Sequence, residues 1–489
     1  MVDQAGLAVT EAPLWGGRFT APPATEAHAL GRSLDVDVRL VRQDVRAGIA
    51  HVHALRDAGL LEEGEVGLLV SALQEVGEEI AAGRFAFHPA DEDIHSAVER
   101  GVTERLGEIG EKLHAGRSRN DLVVTELRLW LLEAERGIVA GIERLIRALV
   151  AHAREHAASV MPGTTHGQPA QPVTLGHHLL AHAWGLLRDR ERFGQWAVRS
   201  SVSALGAGAL ATSSLDLDPA ATAARVGLDR SFANSLDAVS DRDFAQELLG
   251  AAAICGTHLS RLAADLIRWT EALGWAVLDE AYSTGSSMMP QKRNPDVAEL
   301  SRAKAARLLG DFATLTTVLV GLPLGYQRDL QEDKEPVFDA VDTLGAVLPA
   351  LAGCVETVRF RPEAMRRDAG AEGLFATDLA EELVKGGVPF REAHRRVGGL
   401  LRELEAEGRG LRDLSEEEWR HAGLPGGAAL LDPDRAVRTR SMPGGPSPPA
   451  VLAQADAIEA ALAGSTRPPS GTGPARPAHD PTTGSGQRE

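Results

Sequence analysis

Lysine, tyrosine, cysteine and net positive charge are all scarce in this chain of 489 residues, and each shortage excludes something. Of 51 basic residues only five are lysines, Lys112, Lys292, Lys304, Lys334 and Lys385, and the only tyrosines are Tyr282 and Tyr326. Its two cysteines, Cys255 and Cys354, lack metal-type spacing and cannot build a disulfide framework. Acidic residues outnumber basic ones, 69 to 51, for a formal net charge of -18. A nucleic-acid coat or a binder of anionic membranes needs a basic face, so neither partner is expected. No run of about 18 apolar residues is present, and no membrane span is expected. The opening MVDQAGLAVTEAPLWGGRF lacks the basic start and apolar stretch of a secretory signal. The expectation is a soluble cytoplasmic protein.

What is abundant favours helix, alanine and arginine above all. Prolines, which end or kink helices, are absent between Pro89 and Pro162, between Pro172 and Pro219, and between Pro219 and Pro290. From Asn120 to Ser159 apolar residues recur every three or four positions, which predicts a helix roughly 60 Å long. Similar patterns run through Leu175–Arg199, Phe244–Leu278 and Val297–Leu319. Helices of this length without heptads pack as an extended bundle, and strand signals are nearly absent. The fold class is therefore all-α. We read 1–114 as an N-terminal helical domain, 115–365 as a central long-helix bundle and 366–464 as a C-terminal helical domain. Residues 465–489, rich in Pro, Gly, Ser and Thr, are expected to be disordered.

Four segments carry candidate chemistry. The first is TGSSMMPQKRNPDVAE, Thr284–Glu299. Its Gly-Ser-Ser start and two prolines are loop chemistry. A helix is expected to begin at its end, with Asn294 as N-cap, Pro295 in the first helical position and Asp296 in the first turn. Such an N-terminus attracts carboxylates, and two hydroxyls, a scarce lysine and an arginine sit just upstream. The second is MPGTTHGQPAQP, Met161–Pro172, where three prolines fix a rigid turn with Thr165 and His166 at its tip. A histidine there can act as acid or base near neutral pH. The third is KLHAGRSRND, Lys112–Asp121, in which Arg117 and Arg119 flank Ser118 and offer bidentate carboxylate contacts. The fourth is LPLGYQRDLQEDKEP, Leu322–Pro336, which holds Tyr326 and Lys334, with Gln331, Glu332 and Asp333 as acceptors for a cationic substrate end. Taken singly, each also reads as a linker, a capped helix start or a solvated turn. Their co-occurrence is what carries weight.

Together these motifs resemble the argininosuccinate lyases of the fumarase/aspartase superfamily. GSSMMPQKRNPD is similar to the superfamily's signature loop. LGYQRDLQEDKEP, KLHAGRSRND, THGQPAQPVTLGHHLL, LWGGRF near the start and NSLDAVSDRDF at 234–244 narrow it to this family, over roughly residues 14–464. The resemblance implies three helical domains, a homotetramer with active sites shared between subunits, and cleavage of argininosuccinate to arginine and fumarate in arginine biosynthesis. It implies Ser286 as the base that removes a proton beside the succinyl carboxylate. Lys292 would stabilise the serine alkoxide and the aci-carboxylate intermediate, and His166, oriented by Glu299, would act around protonation of the leaving nitrogen. Ser33, Asn120, Thr165, Asn294, Tyr326, Gln331 and Lys334 would bind substrate, with Ser118 and Arg119 as further carboxylate contacts. No cofactor or metal is expected: the elimination is redox-neutral, and no metal-ligand or phosphate-binding motif stands out.

Several positions depart from the family pattern: Ala115, Leu122, Thr164, Gly167, Pro169 and Gly31. Departures around His166 favour an alternative, a lyase of the same fold acting on another N-succinyl or related amino-acid substrate. The intact Tyr326–Lys334 segment opposes it.

Overall fold

The computed structural model describes residues 24–464. The LWGGRF motif and the tail 465–489, expected to be disordered, lie outside the described residues. Helices of ten or more residues are numbered here in chain order. Near the start, α1 (Val41–Asp57), α2 (Glu63–Ala81) and α3 (Ile94–Leu106) close a small core of Leu34, Leu55, Leu69, Leu73, Val76 and Ile94. Capping boxes start two of them, Glu62 with Glu65 and Asp93 with Ser96, satisfying N–H groups that have no partner within the helix.

Five long helices follow: α4 (Arg119–Glu155), α5 (Leu175–Ser200), α6 (Asp243–Ile267), α7 (Asp296–Leu319) and α8 (Lys334–Thr357). The 37 residues of α4 span about 55 Å. Each helix packs on the next, and α8 returns to α4 to close the ring. The chain therefore runs alternately up and down the bundle, and its core (Leu127, Leu149, Phe193, Trp196, Leu248, Leu259, Leu308 and Leu351 among others) lies along the axis. One helical window within Arg328–Thr357 is long and apolar enough to cross a membrane, against the expectation of none. Its residues Val337, Leu344, Leu348 and Leu351 are buried in the bundle, so it is a core helix.

Farther along, α9 (Ala376–Lys385) and α10 (Phe390–Glu407) build a third core with Phe375 and Trp419. The last helix, α11 (Pro448–Ala463), packs back on α4 and α5. Both cysteines are free and buried.

Two expectations change. The proline-rich segment after α4 is a β-hairpin, β1 (Val160–Thr165) with β2 (Gln168–Thr174), not a plain turn. Pro162 faces Pro172. Neither nitrogen carries a hydrogen, and a two-stranded ribbon tolerates this where a central strand would not. The helix expected to reach Leu278 leaves α geometry after Ile267 through a π turn, Arg268–Ala272. Gly274 then turns at φ +64°, and Ala276–Val277 pair with Arg359–Phe360.

Candidate active site

The signature loop is held at its neck. Thr284 and Asn294 exchange backbone hydrogen bonds, 3.2 Å from the Thr284 amide and 2.7 Å from that of Asn294. Asn294 is not the N-cap of α7: Pro295 stands there, and the Asn294 side-chain amide instead donates to Thr284 Oγ1 and to the Gly285 carbonyl. An amide N–H2 can donate into the loop where a carboxylate could not, and the Thr284 hydroxyl in turn donates to Asp296 in the first turn of α7. Within the loop, Ser286 Oγ accepts from the Met288 and Met289 amides, at 3.2 and 3.1 Å. Ser286 is half-buried, and Lys292 and Glu299 are exposed. Arg293 is tied down by the Leu278 carbonyl and Glu280.

At the same end of the bundle stands the hairpin. His166 and Gly167 form its two-residue turn at φ +52° and +75°, the left-handed pair that a tight hairpin demands. Thr165 and His166 are exposed at the tip, and Arg268, just past α6, donates to the Gly167 carbonyl at 3.2 Å. Among the described residues, no hydrogen bond joins His166 to Glu299 within the chain.

The remaining candidates gather at the opposite end. Ser118 caps α4, its hydroxyl accepting from the Asn120 amide while Asp121 receives the Ser118 amide. Asn120 donates to the Ala209 carbonyl at 3.0 Å. Arg119 is already paired with Glu92 (3.2 Å) and Asp93 (2.9 Å), so its charge is committed within the protein. Ser33 donates to Asp37 at 2.7 Å. Tyr326 and Gln331 are half-buried. Lys334 is only 2% exposed and donates to Asp333, so this segment is no solvated turn. Both oxygens of Asp333 are engaged within the protein, one by Lys334 and the other by Arg242, so this carboxylate is not available to substrate as the sequence suggested.

The buried charges beneath Ser33 and Lys334 were not anticipated. His95 Nδ1 lies 2.7 Å from Asp44 and 3.2 Å from Glu126, all three sealed from solvent. Burial works against the imidazolium, yet the Glu126 and Asp44 carboxylates hold it well above its usual range. Burial likewise pushes the Asp37 carboxyl up, against the pull of His95, Ser33 and Lys334.

The departures from the family pattern mostly have structural explanations. Leu122 is a bundle-core residue and Ala115 packs against the N-terminal core. Gly167 supplies a left-handed turn, and Pro169 pairs with Thr164 across the hairpin. A Cβ at Gly31 would stand 3.0 Å from the Arg328 guanidinium, which donates to the Gly31 carbonyl.

Residues 17–310 match the lyase family model, and 373–438 match that of the argininosuccinate lyase C-terminal region. The chain is 50% identical over 453 residues to the argininosuccinate lyase of Frankia casuarinae, covering 92% of this chain and 98% of that protein. It is 50% identical over 460 residues to the argininosuccinate lyase of Acidothermus cellulolyticus, covering 92% and 94%. Among solved structures, EDDS lyase in complex with formate superposes with a TM-score of 0.80 at 28% identity, over 90% of this chain and 89% of that one. The 3-carboxy-cis,cis-muconate lactonizing enzyme of Pseudomonas putida, at 22% identity and a TM-score of 0.70 over 86% and 95%, shares the fold. The family model covers more than half of the chain and half-identical relatives run along nearly all of it, so this chain belongs to the argininosuccinate lyase family of the fumarase/aspartase superfamily.

Proposed function

We propose that this chain cleaves argininosuccinate to arginine and fumarate, as a step of arginine biosynthesis in the cytoplasm, with Ser286 as the base. The observation that carries the assignment of the base is the pair of backbone amides on Ser286 Oγ. A neutral serine is a poor base, but two fixed N–H donors stabilise the alkoxide at the moment it forms and need no reorganisation to do so. Lys292, six residues on, has no side-chain partner among the described residues, so its charge is free for the loop. The Ser286 hydroxyl first gives up its proton to solvent, and the alkoxide so formed takes the proton from the carbon beside the succinyl carboxylate. The electron pair moves into that carboxylate, and its return expels the guanidino nitrogen, which takes a proton at the His166 end. Thr165 and Asn294 flank this step. Ser33, Ser118, Asn120, Tyr326, Gln331 and Lys334 receive the rest of the substrate.

Within one chain the proposed residues stand far apart. The signature loop lies just before α7, Glu299 is in its first turn and Tyr326 lies beyond its far end, and the 24 residues of the helix span about 36 Å. Thr165 and His166 stand about 55 Å of helix away from Asn120. Copies packed antiparallel bring one end beside the other. The surface for that packing is present: Leu300, Leu309, Val320 and Leu324, on α7 and just after it, are each more than half exposed. We therefore read the protein as a homotetramer of three-domain chains with shared sites.

The second reading is a same-fold lyase acting on another N-succinyl or related amino-acid substrate, and the superposition on EDDS lyase, an enzyme named for a substrate other than argininosuccinate, favours it. The hairpin departures lend it little, since turn and strand geometry explains Gly167 and Pro169. The test is ultraviolet absorbance of fumarate when the purified protein meets argininosuccinate, with Ser286→Ala alongside. Turnover should fall by about 10²- to 10⁴-fold in the variant. An unchanged rate would remove Ser286 as base, and no fumarate from a properly assembled wild type would turn the search to other N-succinyl compounds.

A further inference from the structure

Behind the hairpin, apart from the residues assigned above, two histidines and an aspartate converge on one point. His178 and His182 are four residues apart on α5, so their side chains share a helix face. Both place Nε2 against the same carboxylate oxygen of Asp265, on the neighbouring α6, at 2.7 and 2.9 Å. The Trp269 ring meets His178 edge-on, with centroids 5.0 Å apart, and restrains its rotamer. The three side chains are 28, 13 and 29% exposed, which leaves a route for an ion and room for water beside it.

We propose that His178, His182 and Asp265 bind a divalent transition-metal ion of the zinc or cobalt class, through the two Nε2 atoms and the carboxylate. Two imidazoles and a carboxylate suit borderline ions, and histidines at i and i+4 are the spacing by which a single helix offers two ligands to a metal. Metal–ligand distances of about 2.0–2.2 Å place tetrahedral ligand atoms about 3.3 Å apart. Asp265 draws back by about 0.5 Å from each nitrogen and the two Nε2 atoms, within 4.8 Å of each other, settle at that spacing, while each imidazole takes its Nδ1–H tautomer so that Nε2 is free to bind. Water completes the coordination.

Two other clusters of ligating residues compare poorly. Beside His152 and His156, Glu155 is exposed and stands 3.9 Å from His152 Nδ1, so no carboxylate converges on the pair, and the Asp44–His95–Glu126 group is sealed from solvent. An ion at the His178 site ties α5 to α6 directly behind the catalytic hairpin. Thr174, the last residue of β2, caps α5, and Arg268, three residues past Asp265, holds the hairpin tip. The site is one that the sequence, read as lacking a metal-ligand motif, did not disclose.

The experiment is titration of the full-length protein with Co²⁺ alone, followed by its visible d–d absorption, with Zn²⁺ as competitor. One equivalent per chain should bind, and Zn²⁺ should abolish the spectrum. His178→Gln and His182→Gln should each weaken binding by more than the roughly 100-fold that loss of an outer-sphere partner costs. Zn²⁺ should raise the melting temperature of the wild type but not of these variants. His152→Gln should change nothing. No cobalt spectrum at millimolar metal would overturn the proposal, as would undiminished binding in the folded variants. If one glutamine variant does not fold, the other and Asp265→Asn decide the matter by the same readout.

Discussion

Two variants broken at opposite ends of the bundle should repair each other. Ser286→Ala removes the base at the hairpin end, and Lys334→Met removes a buried ammonium at the other, about 36 Å away along α7. Each homo-oligomer should be inactive, because every site lacks one half. When the two are mixed one to one, unfolded and refolded together, the halves of each site are drawn independently from the two variants. About one quarter of the sites then receive both intact halves, so about one quarter of wild-type fumarate release should return. Recovery should also rise and fall with mixing ratio, peaking at equal amounts. Lys334 lies within a buried charge cluster, so a melting curve of its variant comes first. Asn120→Ala, half-buried at the same end, replaces it if Lys334→Met does not fold. No recovery from two folded, co-assembled variants would mean that each site is built within one chain, and the shared-site reasoning would fail.

Removing the Asp333 carboxylate by Asp333→Ala strands two buried cations, Arg242 and Lys334, and should cost about 3–5 kcal/mol in urea unfolding; a loss below about 1 kcal/mol would show the charges relaxing to solvent. Gly353→Ala would place a Cβ 2.5 Å from Tyr282 Cζ, just ahead of the signature loop, and should cost about 1–3 kcal/mol while slowing turnover. A variant that melts with the wild type would mean Tyr282 moves aside freely. His51 donates from Nε2 to the Ala115 carbonyl at 2.9 Å, and burial, assisted by Arg117, pushes its imidazole down to about 3 from an ordinary 6.5. The unfolded chain therefore binds the extra proton between those values. The stability from neutral His51 is whole above pH 6.5 and is lost as pH falls toward 3, by up to about 4–5 kcal/mol. Acid unfolding of His51→Gln, which keeps an N–H, should be flatter over that window, and superimposable curves would refute the assignment.

Most of the architecture was legible in local pattern. Apolar spacing is a local property, so α4, α5 and α7 could be placed within a few residues. The chemistry-bearing segments were equally visible, because a scarce lysine or a Gly-Ser-Ser run needs no fold to be noticed. The hairpin was misread for a physical reason: proline argues against central strands, and nothing local says that a segment will pair only with itself.

Tertiary structure alone decided which charges are sealed and which are free. Lys334 and Lys292 look alike in sequence. One is enclosed by Asp333 with Arg242 beside it, and the other stands open on its loop. Asn294 could have capped α7 but was drawn into the loop neck by Thr284. His178 and His182 meet Asp265 across more than 80 residues of chain. The division follows from range. Helix, cap and turn energies depend on residues within a few positions of one another, whereas burial and pairing depend on which apolar faces come together, and the chain settles that only by packing.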